Sequence, residues 1–332
     1  MYRNIMVPTD GTGFDREAIR VALRIAERSD AKVRLVRVLP TGSFFGVAAA
    51  AEGTAVAAEV VASERDRALS ELYALAAECR VESSADISVD LRAGPVADVL
   101  TEYAERRDID LIVISTHGRS GLARLSLGSV TDSLIRHTSI PVLVVKPPTS
   151  YLNPQVGDAF KRIVVPLDGS TLAEQILPRV TTLATLEGSD ITLLFVLASN
   201  RADAITEMDG AEPDFEETNW REEGIAQGEE YLARIARKLR RHELTVRTEI
   251  VVSENVPAAI GDFARLDKAD LVAIATHGRG GLARMLRGSV ADAVMHSGAA
   301  SMLVLKPDKT AEQRETRTEN QRLADSYSSV IA

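Results

Sequence analysis

A chain of 332 residues that carries one glycine-rich segment twice is restricted to folds made from two copies of one unit. Residues 110–146 read DLIVISTHGRSGLARLSLGSVTDSLIRHTSIPVLVVK, and residues 270–306 read DLVAIATHGRGGLARMLRGSVADAVMHSGAASMLVLK. From Thr116 to Asp132, twelve of seventeen positions match at a constant offset of 160. Two long copies imply a duplicated domain, because a solenoid needs about three or more short repeats. The expected organisation is a first domain over 1–146, a proline-rich linker over 147–160, a second domain over 161–306 and a polar tail over 307–332.

The repeated segment has a physical reading of its own. Residues 110–114 (DLIVI) are an apolar, β-branched run, the pattern of a strand buried on both faces of a parallel sheet. A loop with Gly118 and Gly121 follows, and then Gly128-Ser129 opens the periodic stretch Val130, Leu134, Ile135. Ser129 reads as an N-cap, with Asp132 three residues on as a variant of the capping box. Strand, glycine loop and helix N-terminus in that order favour an anion, because the first turn of a helix presents unpaired N–H groups. Gly128 lets backbone approach such an anion, the Ser129 hydroxyl donates, and Arg119 and Arg124 add charge-assisted bonds. The second copy offers Gly278, Gly281, Gly288, Ser289 and Val290, with Arg279, Arg284 and Arg287. The competing structural reading has the serines only capping and the glycines only turning. Retention of both glycines, the serine and both arginines in the second copy weighs against it.

Chemistry beyond binding has little support. His117 and His277 read as loop residues, with no second histidine at ligand spacing and a single cysteine, Cys79, so no metal site is expected. Neither GxSxG nor HExxH occurs, and no catalytic residue is assigned. Cys79 reads as a small buried hydrophobe at a helix end. Nothing resembles a signal peptide or a membrane span, so the expected location is cytoplasmic. The net charge of −9 is concentrated in residues 199–223, where nine carboxylates face Arg201 and Arg221, a local −7 expected to be a solvated loop. No basic stripe points to nucleic acid.

The remaining pattern predicts strands at Arg3–Val7, Lys32–Leu39, Asp86–Arg92, residues 110–114 and Pro141–Lys146. Helices are expected over 14–28, 56–79 and 95–106 and after Gly128. The inner face of the second is assigned to Val60, Leu69, Leu72, Tyr73 and Ala76. The second copy repeats this plan, with helices over 172–186, 224–242 and 256–266. Five strands alternating with four helices give an α/β fold of two doubly wound, five-stranded parallel sheets with helices on both faces. Ligands of such sheets sit beyond the carboxyl ends of the strands, where strand order reverses. Asp10 after strand 1 and the glycine loop after strand 4 fall on that edge.

These residues resemble the universal stress proteins in their tandem form. VPTDG (7–11), VPLDGS (165–170), the two glycine stretches and the strand ends PVLVVK and SMLVLK carry the likeness, over about residues 1–146 and 160–306. The resemblance implies a Rossmann-like nucleotide-binding fold that holds ATP or another adenine nucleotide, with or without Mg. It implies adenine contacts from Pro8, Asp10 and Val38 and from Pro166, Asp168 and Val196. Ribose and phosphate contacts are implied at Ser115, Gly118, Arg119, Gly121, Gly128, Ser129 and Val130, and at Ala275, Gly278, Arg279, Gly281, Gly288, Ser289 and Val290. The family's first loop glycine falls here on Ser115 and Ala275, each of which adds a Cβ. Asn255 reads as standing where the first copy has Gly94, which together with these changes favours the first pocket.

The resemblance also implies a nucleotide-responsive stress or signalling protein with little or no turnover and an unidentified protein partner. The alternative is a scaffold without nucleotide that acts through protein surfaces. An adenylate-transferring enzyme lacks its usual SGGxDS motif here. The apolar fifth strands are expected to pair with each other, making one chain a pseudo-dimer, with a further homodimer beyond it.

Overall fold

The computed structural model describes residues 1–13, 15–40, 55–115, 128–146, 160–199, 215–276, 290, 294 and 300–307. The first half contributes β1 (Asn4–Pro8), α1 (Arg16–Ser29), β2 (Lys32–Leu39), α2 (Ala55–Glu82), β3 (Asp86–Ala93), α3 (Val96–Arg106), β4 (Leu111–Ser115), α4 (Ser129–His137) and β5 (Val142–Val145). The second contributes β6 (Arg162–Leu167), α5 (Thr171–Glu174), α6 (Leu177–Glu187), β7 (Asp190–Ala198), α7 (Phe215–Arg240), β8 (Val246–Ser253), α8 (Val256–Leu266), β9 (Leu271–Ala275) and β10 (Ser301–Leu305).

All ten strands form one sheet in the order β3-β2-β1-β4-β5-β10-β9-β6-β7-β8. Neighbours are parallel except at the centre, where β5 and β10 run antiparallel with Leu143 opposite Leu303. Each half therefore has the expected doubly wound order, and the fifth strands join the halves. The apolar runs sit where their composition demands: β5 and β10 are buried at every residue. The outer strands β3 and β8 are partly exposed and carry Asp86, Asp90, Arg92, Arg247 and Glu249, charges that discourage further pairing at an open edge.

Two apolar layers sandwich the sheet. One lies under α1, α2, α6 and α7 and includes Ile25, Leu72, Val180 and Leu232; the other lies under α3, α4 and α8 and includes Leu100, Leu134 and Ile260. At the amino ends of the strands the duplication repeats down to single hydrogen bonds. Asp110 accepts from the Arg3 N–H at 2.7 Å, and Asp270 accepts from the Arg162 N–H at 2.8 Å.

Several local expectations change. The helix expected over 172–186 breaks at Gln175–Ile176, because Pro178 at the start of α6 has no N–H to continue the ladder. α7 starts at Phe215, so the latter part of the acidic 199–223 segment is helical and not loop, as its Glu and Arg content permits. On α2 the buried face is Ala68, Leu72, Ala76 and Cys79, while Val60 and Tyr73 are exposed. Tyr73 follows Leu72 by one residue, about 100° around the helix, and cannot share its face. Cys79 is buried as expected, and burial raises its thiol pKa.

Ser129 is the first helical residue of α4, with Gly128 as an extended N-cap and no side-chain cap bond. Asp132 is in the first turn but does not close a capping box; its carboxylate takes two bonds from Arg136, at 2.8 and 3.0 Å. Asn255 corresponds to Pro95, not to Gly94. Asn255 and Pro95 are the N-caps of α8 and α3, and Asn255 accepts from the Ala258 N–H at 3.1 Å.

Gly94 occupies φ +143°, and a Cβ there would stand 2.7 Å from Val99 Cγ2. Gly94→Ala is expected to destabilise the fold by about 1–3 kcal/mol, through backbone strain and overpacking together. Chemical denaturation followed by circular dichroism measures this, and an unchanged midpoint refutes it.

Candidate functional site

The crevice in each half opens where strand order reverses, beyond the carboxyl ends of β1 and β4 and of β6 and β9. Pro8 closes β1 and Asp10 follows two residues later; Pro166 and Asp168 repeat this at the end of β6. Val38 near the end of β2 and Val130 in the first turn of α4 pack against the same apolar layer, as do Val196 and Val290 in the second half. Ser115 and Ala275 end β4 and β9, and Gly128 and Ser129 open α4. Among the described residues, the structure thus gathers carboxylate, valine and strand end at one edge of each half, and in the first half the helix start as well. Gly118, Arg119, Gly121, Gly278, Arg279, Gly281, Gly288 and Ser289, together with the two loop histidines, lie outside the described residues.

The two carboxylates sit in similar turns. Asp10 Oδ1 accepts from the Thr12 N–H at 2.9 Å and from its hydroxyl at 2.5 Å. Asp168 Oδ1 accepts from the Ser170 N–H at 3.0 Å and from its hydroxyl at 2.6 Å. Each bond set is local, formed with the residue two positions ahead. Among the described residues, Asp168 Oδ2 is buried and has no hydrogen-bond partner. A buried carboxylate oxygen without a donor costs free energy on the order of 1–3 kcal/mol, which a bound donor recovers.

Beneath the turns the halves differ. In the first, a cleft of about 220 Å³ is lined by Thr9, Gly11, Asp15, Arg37, Glu71 and Glu78, among others. Arg37 is buried on β2 and donates to Glu71 at 2.7 Å; Arg67 approaches the same carboxylate at 2.9 Å. The hydrogen bonds from Arg37 and then Arg67 lower the Glu71 pKa. A Cβ on Gly11, at φ +76°, would come 2.9 Å from Arg37 Nη1, so the guanidinium packs directly beneath the turn that presents Asp10. Thr9 donates its hydroxyl to the buried Asp15 carboxylate in the same turn.

In the second half the strand register places Phe195 where the first has Arg37, and the helix repeat places Tyr231 where it has Glu71. An ion pair is replaced by a T-shaped aromatic pair with ring centroids 6.3 Å apart. The Tyr231 hydroxyl is buried, and burial, reinforced by the Glu174 and Asp168 carboxylates, raises its pKa. Arg234 lies 5.2 Å from the centre of its ring and 3.0 Å from Glu174. Sequence reasoning missed both arrangements. The signal for the first was an arginine among apolar residues in KVRLVRVL; for the second it was an aromatic on each of two paired elements.

Among the described residues, no group of three or more His, Cys, Asp or Glu side chains is arranged to hold a metal, and no helix is long and apolar enough to cross a membrane.

The sequence profile of the universal stress protein family matches residues 1–146 and 159–306. A universal stress protein of Methanocaldococcus jannaschii is 36% identical over 149 residues, 45% of this chain and 84% of that protein. One from Mycobacterium tuberculosis is 27% identical over 322 residues, 91% of this chain and 94% of its own length. The crystal structure of a universal stress protein from Archaeoglobus fulgidus superposes with a TM-score of 0.58 at 14% identity, covering 92% of this chain and 97% of that one, a likeness of fold. Matched over both of its halves, and along most of its length by a relative of similar size, the chain belongs to the universal stress protein family.

Proposed function

We propose that this universal stress protein binds an adenine nucleotide in each crevice and acts as a nucleotide-responsive stress or signalling protein with little or no turnover. The observation that carries the reading is the Oδ2 of Asp168, buried and without a hydrogen-bond partner among the described residues. An exocyclic amine such as that of adenine is a neutral donor of the kind this acceptor lacks, and Pro166 and Val196 supply apolar surface for the base. Asp10, Pro8 and Val38 occupy the equivalent positions in the first half.

Phosphates fall to the start of α4. Its N-cap is glycine in extended conformation, which has no side chain to cap the first N–H groups, and a helix start of this kind favours an anion. Ser129 and Ser289 donate hydroxyls, Gly118, Gly121, Gly278, Gly281 and Gly288 allow close backbone approach, and Arg119 and Arg279 supply charge. The bound species is ATP or another adenine nucleotide, with or without Mg. The domains run over 1–146 and 161–306 and act as a pseudo-dimer that associates further as a homodimer, soluble in the cytoplasm, with an unidentified protein partner.

A scaffold without nucleotide is the second reading, favoured by Ala275. It is partly buried against the layer under α6 and α7, and its Cβ occupies space at the strand end that a glycine would leave open.

Acid release of nucleotide from the purified protein, followed by chromatography, is expected to yield about two adenine nucleotides per chain, one for each helix-start site. Gly128→Val and Gly288→Val are each expected to remove about one of them, since a branched side chain closes the backbone approach. A chain that carries none and takes up none at millimolar ATP refutes the reading and leaves the scaffold. Asp168→Asn turns the acceptor into a donor at constant shape, and titration calorimetry is expected to show about 10–100-fold weaker binding at the second site only. Turnover of ATP with Mg is expected to lie below the range of about 1–1000 s⁻¹ usual for enzymes, and a rate within it overturns the assignment as a binder.

A further inference from the structure

The seam between the halves is one that either half could form with a copy of itself. Leu143 and Leu303 face each other at its centre and are equivalent positions of the duplication. A β5·β5 pair would set Leu143 against Leu143 of a second chain in the same register. Backbone pairing and apolar packing do not separate these alternatives, because VLVV and SMLVL present nearly the same edge.

What separates them lies beside the seam, where α1 and α6 meet. The Glu187 side chain is 0% exposed and is held by Arg24 at 3.3 Å and Arg28 at 2.8 Å, both from the other half. Arg28 also donates to the Leu186 carbonyl at 3.4 Å, and the Arg24 guanidinium lies 5.3 Å from the centre of the Phe160 ring. Lys161 holds the helix end by donating to the Glu187 carbonyl at 2.9 Å.

This cluster has no mirror image across the seam. Strand register, with Lys32 beside Asn4 and Asp190 beside Arg162, makes Ser29 the counterpart of Glu187. The left-handed residues that end the two helices, Asp30 and Gly188, agree with that alignment. Arg28 then corresponds to Leu186 and Arg24 to Thr182. The Ser29 hydroxyl turns back to the Ile25 carbonyl at 2.7 Å, a neutral and locally satisfied group.

We propose that Glu187, Arg24 and Arg28 restrict this interface to unlike partners, a first half with a second half, and reject self-pairing of either half. Two first halves would bring Arg24 and Arg28 of both copies together with only serines between them. Two second halves would bury two carboxylates against Leu186 and Thr182. A buried ion pair adds little net stability, but a buried charge left without its partner is strongly unfavourable. The cluster therefore acts mainly through what it excludes.

The test uses the full chain with Cys79→Ala and a reporter, Leu143→Cys, refolded at high concentration under mild oxidation. In the unlike seam the reporter faces Leu303 and cannot cross-link; in a β5·β5 pair it meets its own copy and forms a disulfide-linked dimer. With the native charges, little cross-linked dimer is expected on a non-reducing gel. Arg24→Thr with Arg28→Leu strands Glu187 in the unlike seam and frees the first half to self-pair, so cross-linking is expected to rise at least about tenfold. Arg24→Glu, Arg28→Glu and Glu187→Arg together restore complementarity of the unlike seam and are expected to return cross-linking to the native level. Native-level cross-linking in the folded neutral variant overturns the proposal, and so does a transposed chain that cross-links as much as the neutral one. Should circular dichroism show the neutral variant unfolded, the transposed chain decides: folded with native-level cross-linking supports the proposal, and unfolded or cross-linked refutes it.

Discussion

The antiparallel pairing of β5 with β10 is the contact on which the rest of the molecule depends. Each half, taken alone, would end in a wholly apolar strand with unpaired backbone groups, an arrangement that invites association. Pairing satisfies those groups and buries both strands at every residue. It also fixes where the two crevices lie. Strands within each half are parallel, so both crevices sit at carboxyl ends; the reversal at the seam points those ends in opposite directions. The two candidate sites therefore open on opposite edges of a single ten-stranded sheet.

Within that shared frame, the halves hold the same turn in different ways. In the first, a buried guanidinium supports Gly11 from below and is anchored to α2 through Glu71. In the second, Phe195 and Tyr231 fill the corresponding space with aromatic surface. The carboxylate at the crevice makes the same local bonds in both, so duplication preserved the part that meets the crevice edge while its support diverged. Charge at the α1–α6 contact differs too: Ser29 stands on one side where Glu187 stands on the other, and Glu187 is paired with Arg24 and Arg28 of the first half.

Most of the architecture was legible in the chain because its signals are local and repeated. The β-branched runs, the proline and glycine boundaries and the fixed offset of the duplication marked every strand; β2 was placed to the residue and the rest of the strands within a residue or two. Errors arose where local preference met a competing interaction. Ser129 suited an N-cap, but Gly128 took that position and Asp132 turned to Arg136. A dense run of carboxylates suggested a loop, although glutamate favours helix and α7 begins inside it. Tyr73 followed Leu72 too closely to share its face.

The sequence by itself determined the duplication, the α/β alternation and the family, because these follow from periodicity, turn chemistry and motif spacing along one chain. Only the tertiary structure decided that Arg37 lies under Gly11, that the Oδ2 of Asp168 is buried without a donor among the described residues, and that Glu187 is enclosed by arginines from the other half. Each of these facts joins residues far apart in the chain or depends on burial. Neither is recorded in local order, because it is packing of one element on another that sets which charges meet and which polar atoms lose water.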